Sequence, residues 1–241
     1  MSNTTSGAYQ FDQDFSIDEI ISDAYERIGL VGTSGHQLKT ARRSLNILFQ
    51  EWGNRGLHFW EVGNTNVTLI QGSSTNVNAT DEGAGTYTFY RNAVDSAAAA
   101  AASPQATTLP TANVYGITDI LNIGFRQNYN TTSQSDVALS KVDRSAYSGT
   151  ANKAAVGTPS QFWVQRFIDR VTVTLYPLPN AAAAAATSKL MVYYVKRIQD
   201  VGAFSNATDT PFRFVPCMVS GLTYLLSQKF APERTQELKL F

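Results

Sequence analysis

The chain has 241 residues, enough for one large domain or two small ones, and its single cysteine, Cys217, excludes an intramolecular disulfide framework. No apolar run approaches the roughly 20 residues that span a bilayer, and the first residues lack the pattern of a signal peptide, so we expect a soluble, unprocessed protein. Lys plus Arg equals Asp plus Glu at 19 each, which excludes the strong basic excess of a protein that grips nucleic acid.

The chain begins with an arm and an amphipathic helix. Residues 1–14 carry Asn, Thr, Ser and Gly without a repeating apolar pattern, which predicts a flexible arm. Ser16 and Glu19 have the spacing of a capping box, and Gly29 is placed to end the helix that they begin. Apolar residues recur between them at intervals of three and four, namely Ile17, Ile20, Ile21, Ala24, Tyr25 and Ile28.

A second capping signal, Ser34 with Gln37, opens a longer helix that ends near Gly53 and Gly56. Its apolar stripe consists of Leu38, Ala41, Leu45, Leu48, Phe49 and Trp52. The two helices are joined by a short turn that contains glycine, so residues 15–61 are predicted to form a helical hairpin.

The apolar period then changes to two, which predicts a β-rich region over residues 62–210. The strand signals are Val67 with Leu69, Tyr87 with Phe89, Val171 with Val173 and Leu175, and the run 190–195. Loops rich in Gly, Ser, Thr, Asn and Pro separate them at 71–85, 92–111 and 177–187. Two runs of six alanines, 97–102 and 181–186, are too short to form stable helices alone and are predicted to be extended or irregular.

Helical spacing returns after Pro216 and continues to Pro232, so residues 211–241 are predicted to hold a helix that completes the helical module. The predicted fold class is therefore α+β, with a helical module made by the N-terminal hairpin and the C-terminal helix. A large antiparallel β-rich region is inserted between these two parts.

The sequence offers little material for catalysis. The two histidines, His36 and His58, lie where solvent contact or packing explains them, and Cys217 beside Met218 is expected to be a buried, inert thiol. Glu51 and the pair 81–82 (Asp, Glu) are the carboxylates that a glycoside hydrolase would use, although a solvated helix face and an acidic loop explain them more simply. We expect no catalytic residue, no metal ion and no cofactor.

Large aromatic and basic residues are the better candidates for interaction. For Trp52 and Trp60 we favour core packing over an interface. Arg42, Arg43 and Arg55 can face a channel or the acid-rich first helix of a neighbouring subunit, and a plain solvated face explains them equally well.

Several stretches, in order along nearly the whole chain, resemble the head-to-tail adaptors of tailed bacteriophages, also called tail accessory factors or connectors. The stretches are DAYERIGL (23–30), ARRSLNILFQEWGNRGLHFW (41–60), KAAVGTPSQFWV (153–164), VTLYPLP (173–179), VYYVKRIQD (192–200) and DTPFRF (209–214). The resemblance implies a structural protein of the virion neck that is not an enzyme and that is made in the cytoplasm of the bacterial host.

The resemblance also implies the partners. Adaptors form a ring, commonly of twelve copies, between the portal protein and the tail nozzle or tube, and double-stranded DNA passes through the lumen without sequence-specific contacts. No membrane partner is implied. Family members often continue into a portal-docking segment, which we expect to be shortened, absent or missing from this sequence. Arg234, Leu238 and Phe241 are the candidate docking end. The alternative function is a phage cell-wall hydrolase or a glycan-binding tail component.

Overall fold

A computed structural model describes residues 16–31, 34–56, 60–72, 85–92, 116–203 and 205–238. These residues form helices and mostly antiparallel sheets, which confirms the predicted α+β class. The chain divides into a helical unit, Met1–Trp60 with Ile198–Phe241, and a β unit, Glu61–Arg197. Within the described part of the chain, no helix is both long and apolar enough to cross a membrane.

The described helices are α1 (Ile17–Ile28), α2 (Gly35–Asn54), α3 (Arg144–Ser148), α4 (Val215–Phe230) and α5 (Thr235–Leu238). Both predicted capping boxes are present: the Glu19 carboxylate accepts from the Ser16 N–H at 2.8 Å, and Gln37 Oε1 accepts from the Ser34 N–H at 3.1 Å. Gly29 ends α1 with a positive φ of 85°, a conformation that glycine adopts without steric cost.

The helical unit is built around α4, which packs against both α1 and α2. The apolar stripes predicted for α1 and α2 face this core. Its fully buried members include Ile20, Ala24, Tyr25, Ala41, Leu45, Met218, Leu222 and Leu226. The Tyr25 hydroxyl donates to the Gln37 carbonyl at 2.9 Å, so the one polar atom of this large core residue is hydrogen-bonded.

The segment that precedes α4 belongs to the helical unit. Ile198 and Val201 are buried in its core, and the Val201 N–H donates to Asn46 Oδ1 at 2.8 Å. Farther along, the Asn206 carbonyl accepts from the Ile17 N–H at 3.0 Å. The β unit therefore ends at Arg197. The sequence analysis had placed residues 198–210 in the β-rich region.

The described residues of the β unit form two four-stranded sheets whose inner faces share one core. The strands are β1 (Val62–Thr68), β2 (Thr86–Tyr90), β3 (Ile117–Gln127), β4 (Ser135–Ala138), β5 (Ser140–Val142), β6 (Val156–Gly157), β7 (Gln161–Arg166), β8 (Arg170–Tyr176), β9 (Leu178–Pro179) and β10 (Lys189–Lys196). The first sheet has the order β1-β10-β3-β4 and the second has the order β2-β8-β7-β5, with a short parallel ladder formed by β6 and β9.

Strand β3 is the longest of the described strands and was not predicted. Its buried residues Ile117, Ile120 and Ile123 recur every three positions, which is not the period of a regular strand. The cause is two irregularities in the pairing with β10, where Thr118 and Leu121 have no opposite residue. Each extra residue shifts the inward face by one position, so the sequence loses its alternation.

The second alanine run forms irregular turns, as predicted, and it contributes to the core. The Asn180 side-chain carbonyl accepts from the Ala183 N–H at 2.8 Å, and Ala183 is buried. The first alanine run, 97–102, lies outside the described residues, as do the arm 1–14 and most of the loops 71–85 and 92–111.

Candidate functional site

The exposed side of α1 is acidic. This helix carries four acidic residues and one basic residue, and its buried positions are all apolar. Glu19, Asp23 and Glu26 follow one another at intervals of four and three, so they share the outward side with Asp18. Arg27 pairs with Asp23 at 3.2 Å, which leaves the helix with a net negative charge.

The outward side of α2 is basic. This helix carries three basic residues and one acidic residue. Lys39, Arg43 and Ile47 lie at four-residue intervals and are all exposed, on the side opposite the buried Ala41 and Leu45. Ile47 is 48% exposed, so an apolar side chain lies next to the two cations. We call the outward sides of α1 and α2 the acidic face and the basic face.

The three arginines predicted for an interface lie in different surroundings. Arg43 lies on the basic face. Arg42 is directed to the segment before α4 and donates to the Gly202 carbonyl at 3.4 Å, a long hydrogen bond. Arg55, just after α2, forms an ion pair with Glu51 one turn earlier. Of these three arginines, Arg43 alone lies on the basic face, while Arg42 and Arg55 contact other groups of their own chain.

The predicted docking end folds back on the helical unit. The Arg234 guanidinium donates to the Ile28 carbonyl at 2.5 Å, which caps the C-terminus of α1 next to Gly29. Leu238 is partly buried against the core of the same unit, and Phe241 lies outside the described residues. Arg234 and Leu238 thus have a structural role, which was not anticipated.

Trp52 and Trp60 pack against the core of the helical unit, as predicted. Both contact Phe214, with ring centroids 5.9 Å from Trp52 and 4.6 Å from Trp60. The Trp60 indole N–H donates to the Asp209 carbonyl at 3.1 Å, so its polar atom is also satisfied.

The candidate catalytic groups do not converge in the described part of the chain. The Glu51 carboxylate lies on the surface and pairs with Arg55, and His36 is exposed at the start of α2. His58 and the 81–82 pair lie outside the described residues, and no group of three potential metal ligands occurs among those described. The prediction of a buried thiol at position 217 is wrong: Cys217 is exposed, because Met218, the next residue, faces the core.

Sequence reasoning also missed an exposed apolar turn between β7 and β8. Ile168, at its tip, is 96% exposed and Phe167 is 41% exposed. The Phe167 N–H donates to the Arg170 carbonyl at 2.8 Å, while the Arg91 guanidinium donates to the Phe167 carbonyl at 3.0 Å. The turn was missed because Asp169 is the one residue of 167–170 that is typical of turns, and it stands without Gly, Pro or Asn. It is an apolar projection held by hydrogen bonds on both sides.

An ion pair joins the two sheets close to this turn. Arg166, in β7, donates to both Asp119 oxygens, in β3, at 2.9 and 2.8 Å. Partial burial raises the pKa of the Asp119 carboxyl, but the hydrogen bonds from Arg166 and from the Ile120 N–H, with the charges of Arg166 and Lys141, lower it more. The pKa of Asp119 therefore lies below its usual value, and the pair is charged at neutral pH.

The comparisons with known proteins add no family to this description. No protein-family model matches the chain, and a search of curated protein sequences finds no match. The faces of α1 and α2 and the apolar turn are therefore the features on which a function can be argued.

Proposed function

We propose that this chain is a structural protein of a tailed-phage virion, a head-to-tail adaptor whose copies form a ring between the portal and the tail nozzle or tube. In this proposal the N-terminal helices and the C-terminal helix act as one helical module, and the β-rich region is inserted between these two parts in the sequence. The ring surrounds a channel for double-stranded DNA.

The opposite charges of the acidic and basic faces carry the proposal. A cyclic ring requires a heterologous contact, in which one surface of each subunit meets a different surface of the next. The helical unit exposes Glu26 on α1 and Arg43 on α2. The acidic face of one copy can therefore contact the basic face of the next copy. Ile47, half exposed beside Arg43, supplies apolar area of the kind that lies at the centre of interfaces.

The resemblance to adaptors supports the same function. The longest similar stretch, 41–60, includes most of α2, and VTLYPLP covers the end of β8 together with β9. These helix and strand residues belong to the framework of the fold, so the similarity is not confined to loops. Equal numbers of acidic and basic residues also suit a conduit, because a dense basic lining would hold DNA instead of letting it slide.

The exposed turn of the β unit suits a contact with a second protein. Hydrogen bonds of the Phe167 backbone hold the turn, so its main chain loses little conformational entropy when the turn enters a pocket. We assign the exposed side chains of Ile168 and Phe167 to contacts with the portal or the tail.

The assembly test uses the purified chain and portal rings of the phage that encodes it. We expect electron micrographs of the mixture to show a second ring stacked on the portal with matching or commensurate symmetry. Arg43→Glu and Glu26→Arg should each prevent ring closure, and the double variant should restore part of it because the charges are exchanged. Arg144→Glu, on the exposed surface of α3, is the control with the same change of charge. Persistent failure of the wild-type chain to associate with portal rings would refute the proposal.

We also propose that the chain is not an enzyme. The sequence alternative, a cell-wall hydrolase, requires an active carboxylate such as Glu51, which is paired with Arg55 on an open helix surface. Purified bacterial cell walls incubated with the protein should keep their turbidity. Clearing that disappears in Glu51→Gln would contradict this part of the proposal.

A further inference from the structure

Among the described strands, β1 lies at an edge of its sheet and pairs on one side only. It pairs with β10 along its whole length, from Val62 opposite Val195 to Thr68 opposite Lys189. No other described strand lies on its second side. Val62 is 51% exposed, and Asn64 and Thr68 are exposed as well.

The register identifies which backbone groups face the open side. The Lys196 N–H donates to the Glu61 carbonyl at 2.9 Å, so this pair is hydrogen-bonded. Hydrogen-bonded and non-bonded pairs alternate along an antiparallel ladder, and the β1–β10 register is regular. The N–H and C=O groups that point away from β10 are therefore those of Val62, Asn64, Asn66 and Thr68. They form a row to which another strand can hydrogen-bond.

Strand β1 lacks the features that usually protect an edge. Its sequence, VGNTNVT, contains no proline, no lysine and no other charged residue, and the strand has seven residues without a bulge. The Asn66 Oδ1 is buried and has no hydrogen-bond partner in the described part of the structure.

The fifteen residues that precede Ser16 in the sequence have suitable composition and length for this edge. They include Thr4, Thr5, Tyr9 and Phe11, which favour strands, and Asn3, Gln10 and Gln13, which carry amide side chains. They contain no proline and no basic residue. Fully extended, fifteen residues reach about 50 Å, enough to pass from one subunit to the next.

We propose that in the assembled ring the N-terminal arm of one copy, residues 1–15, adds as a strand to the open edge of β1 in the neighbouring copy. The inference rests on the proposed ring. Strand addition gives affinity through backbone hydrogen bonds, while the faces of α1 and α2 align the two subunits. The edge is then exposed in the free subunit and covered on assembly.

Hydrogen exchange of the full-length chain, alone and in portal-bound rings, tests the proposal. The amides of Val62, Asn64, Asn66 and Thr68 should exchange at least about tenfold more slowly in the ring than in the free subunit. The amides that bond to β10, such as that of Thr65, should be protected in both states. Rings whose outward β1 amides exchange as in the free subunit would overturn the inference and leave the proposed function standing. If the wild-type chain forms no ring, both are overturned.

Proline substitution tests the edge without disturbing the fold. The Asn64 N–H makes no bond to β10, so Asn64→Pro should keep the β1–β10 ladder and block the added strand. Ala138→Pro is the matched control, because the Leu139 N–H bonds to the Ile123 carbonyl and the Ala138 N–H therefore faces the other edge of the same sheet. We expect Asn64→Pro and deletion of residues 2–14 to weaken assembly by about tenfold or more, and Ala138→Pro to leave it unchanged.

A separate measurement decides whose arm covers the edge. In isolated monomers, which are free of neighbours, deletion of residues 2–14 should not change the exchange of the β1 amides. A peptide of residues 2–15 added to the deletion variant should restore its assembly in part. Protection of β1 by its own arm in the monomer would overturn the inference, as would equal effects of Asn64→Pro and Ala138→Pro.

Discussion

Tyr87→Phe removes one hydroxyl from the core of the β unit and should change the stability of the protein in two ways. The Tyr87 side chain is 1% exposed, and its hydroxyl oxygen accepts from the Ile70 N–H at 3.1 Å. Phenylalanine keeps the ring but leaves this N–H without its partner, which should lower the free energy of unfolding at neutral pH by about 1–2 kcal/mol. The second effect depends on pH, because burial opposes ionisation of the phenol.

Burial raises the pKa of Tyr87 from 10.0 to about 12, although the hydrogen bond from the Ile70 N–H lowers it slightly. The phenol is an acid whose folded-state pKa is raised, so its contribution to stability is complete below pH 10 and is lost as the pH rises towards 12. At about 1.4 kcal/mol per pKa unit, the total loss is about 3 kcal/mol.

Urea unfolding of the wild-type and variant chains near pH 8 and pH 11, followed by circular dichroism, measures both effects. The variant should be less stable near pH 8, and its stability should fall less steeply with rising pH. Tyr193→Phe is the control, because Tyr193 belongs to the same unit but is 40% exposed. The reasoning is refuted if Tyr87→Phe and Tyr193→Phe show the same dependence on pH.

Three further predictions concern contacts that hold each unit together. Arg234→Ala should lower the free energy of unfolding by about 1–2 kcal/mol, because the Ile28 carbonyl loses the guanidinium that caps it. Glu237→Gln is the control and should have little effect, because the Arg234–Glu237 contact is long, at 3.9 Å, and exposed. Asp119→Asn should lower the free energy of unfolding at neutral pH by about 0.5–1 kcal/mol, a small value because solvent screens the partly exposed Asp119–Arg166 pair. Because the pair lowers the pKa of Asp119, this difference between the wild-type and variant chains should disappear as the pH falls below about 4. Gly221→Ala places a Cβ 2.9 Å from Leu48 Cδ2, so the helix stabilisation of about 1 kcal/mol expected from replacing a mid-helix glycine should be reduced by the contact; in denaturant titrations the substitution should stabilise a Leu48→Ala chain more than the wild-type chain. Unchanged stability in Arg234→Ala or in Asp119→Asn would contradict the corresponding contact, as would an equal effect of Gly221→Ala with and without Leu48→Ala.

The helical unit could be predicted closely from the sequence because its signals are local. A capping box involves residues three positions apart, and an apolar stripe repeats within two turns, so Ser16, Glu19 and the buried isoleucines of α1 need no knowledge of the rest of the chain. The role of Arg234 could not be predicted in this way. Its partner, the Ile28 carbonyl, is separated from it by most of the chain, and the contact exists only because α1 packs on α4.

The β unit was less predictable because its signals depend on pairing. Strands with strict alternation, such as β8, were found, whereas β3 was missed because two unpaired residues change the spacing of its buried isoleucines. The same dependence hides the exposed turn at Ile168, where Asp169 is the one typical turn residue and the Arg91 guanidinium donates to the Phe167 carbonyl. The bulges and the turn both require the partner strand before they can be recognised.

The acidic and basic faces depend on local helical spacing, whereas the open side of β1 depends on strand pairing. This difference leads to an expected order of assembly. The charges of the acidic and basic faces can be read from helical spacing, and charged faces act over distances of about 8 Å at physiological salt, before two subunits touch. The open side of β1 acts only through hydrogen bonds at about 3 Å, after the subunits are aligned. A free subunit with both features is therefore expected to meet its neighbour first through α1 and α2 and to gain the added strand second. Salt should then slow the encounter more than it weakens the finished ring, whereas Asn64→Pro should shorten the lifetime of the ring and leave the encounter rate unchanged.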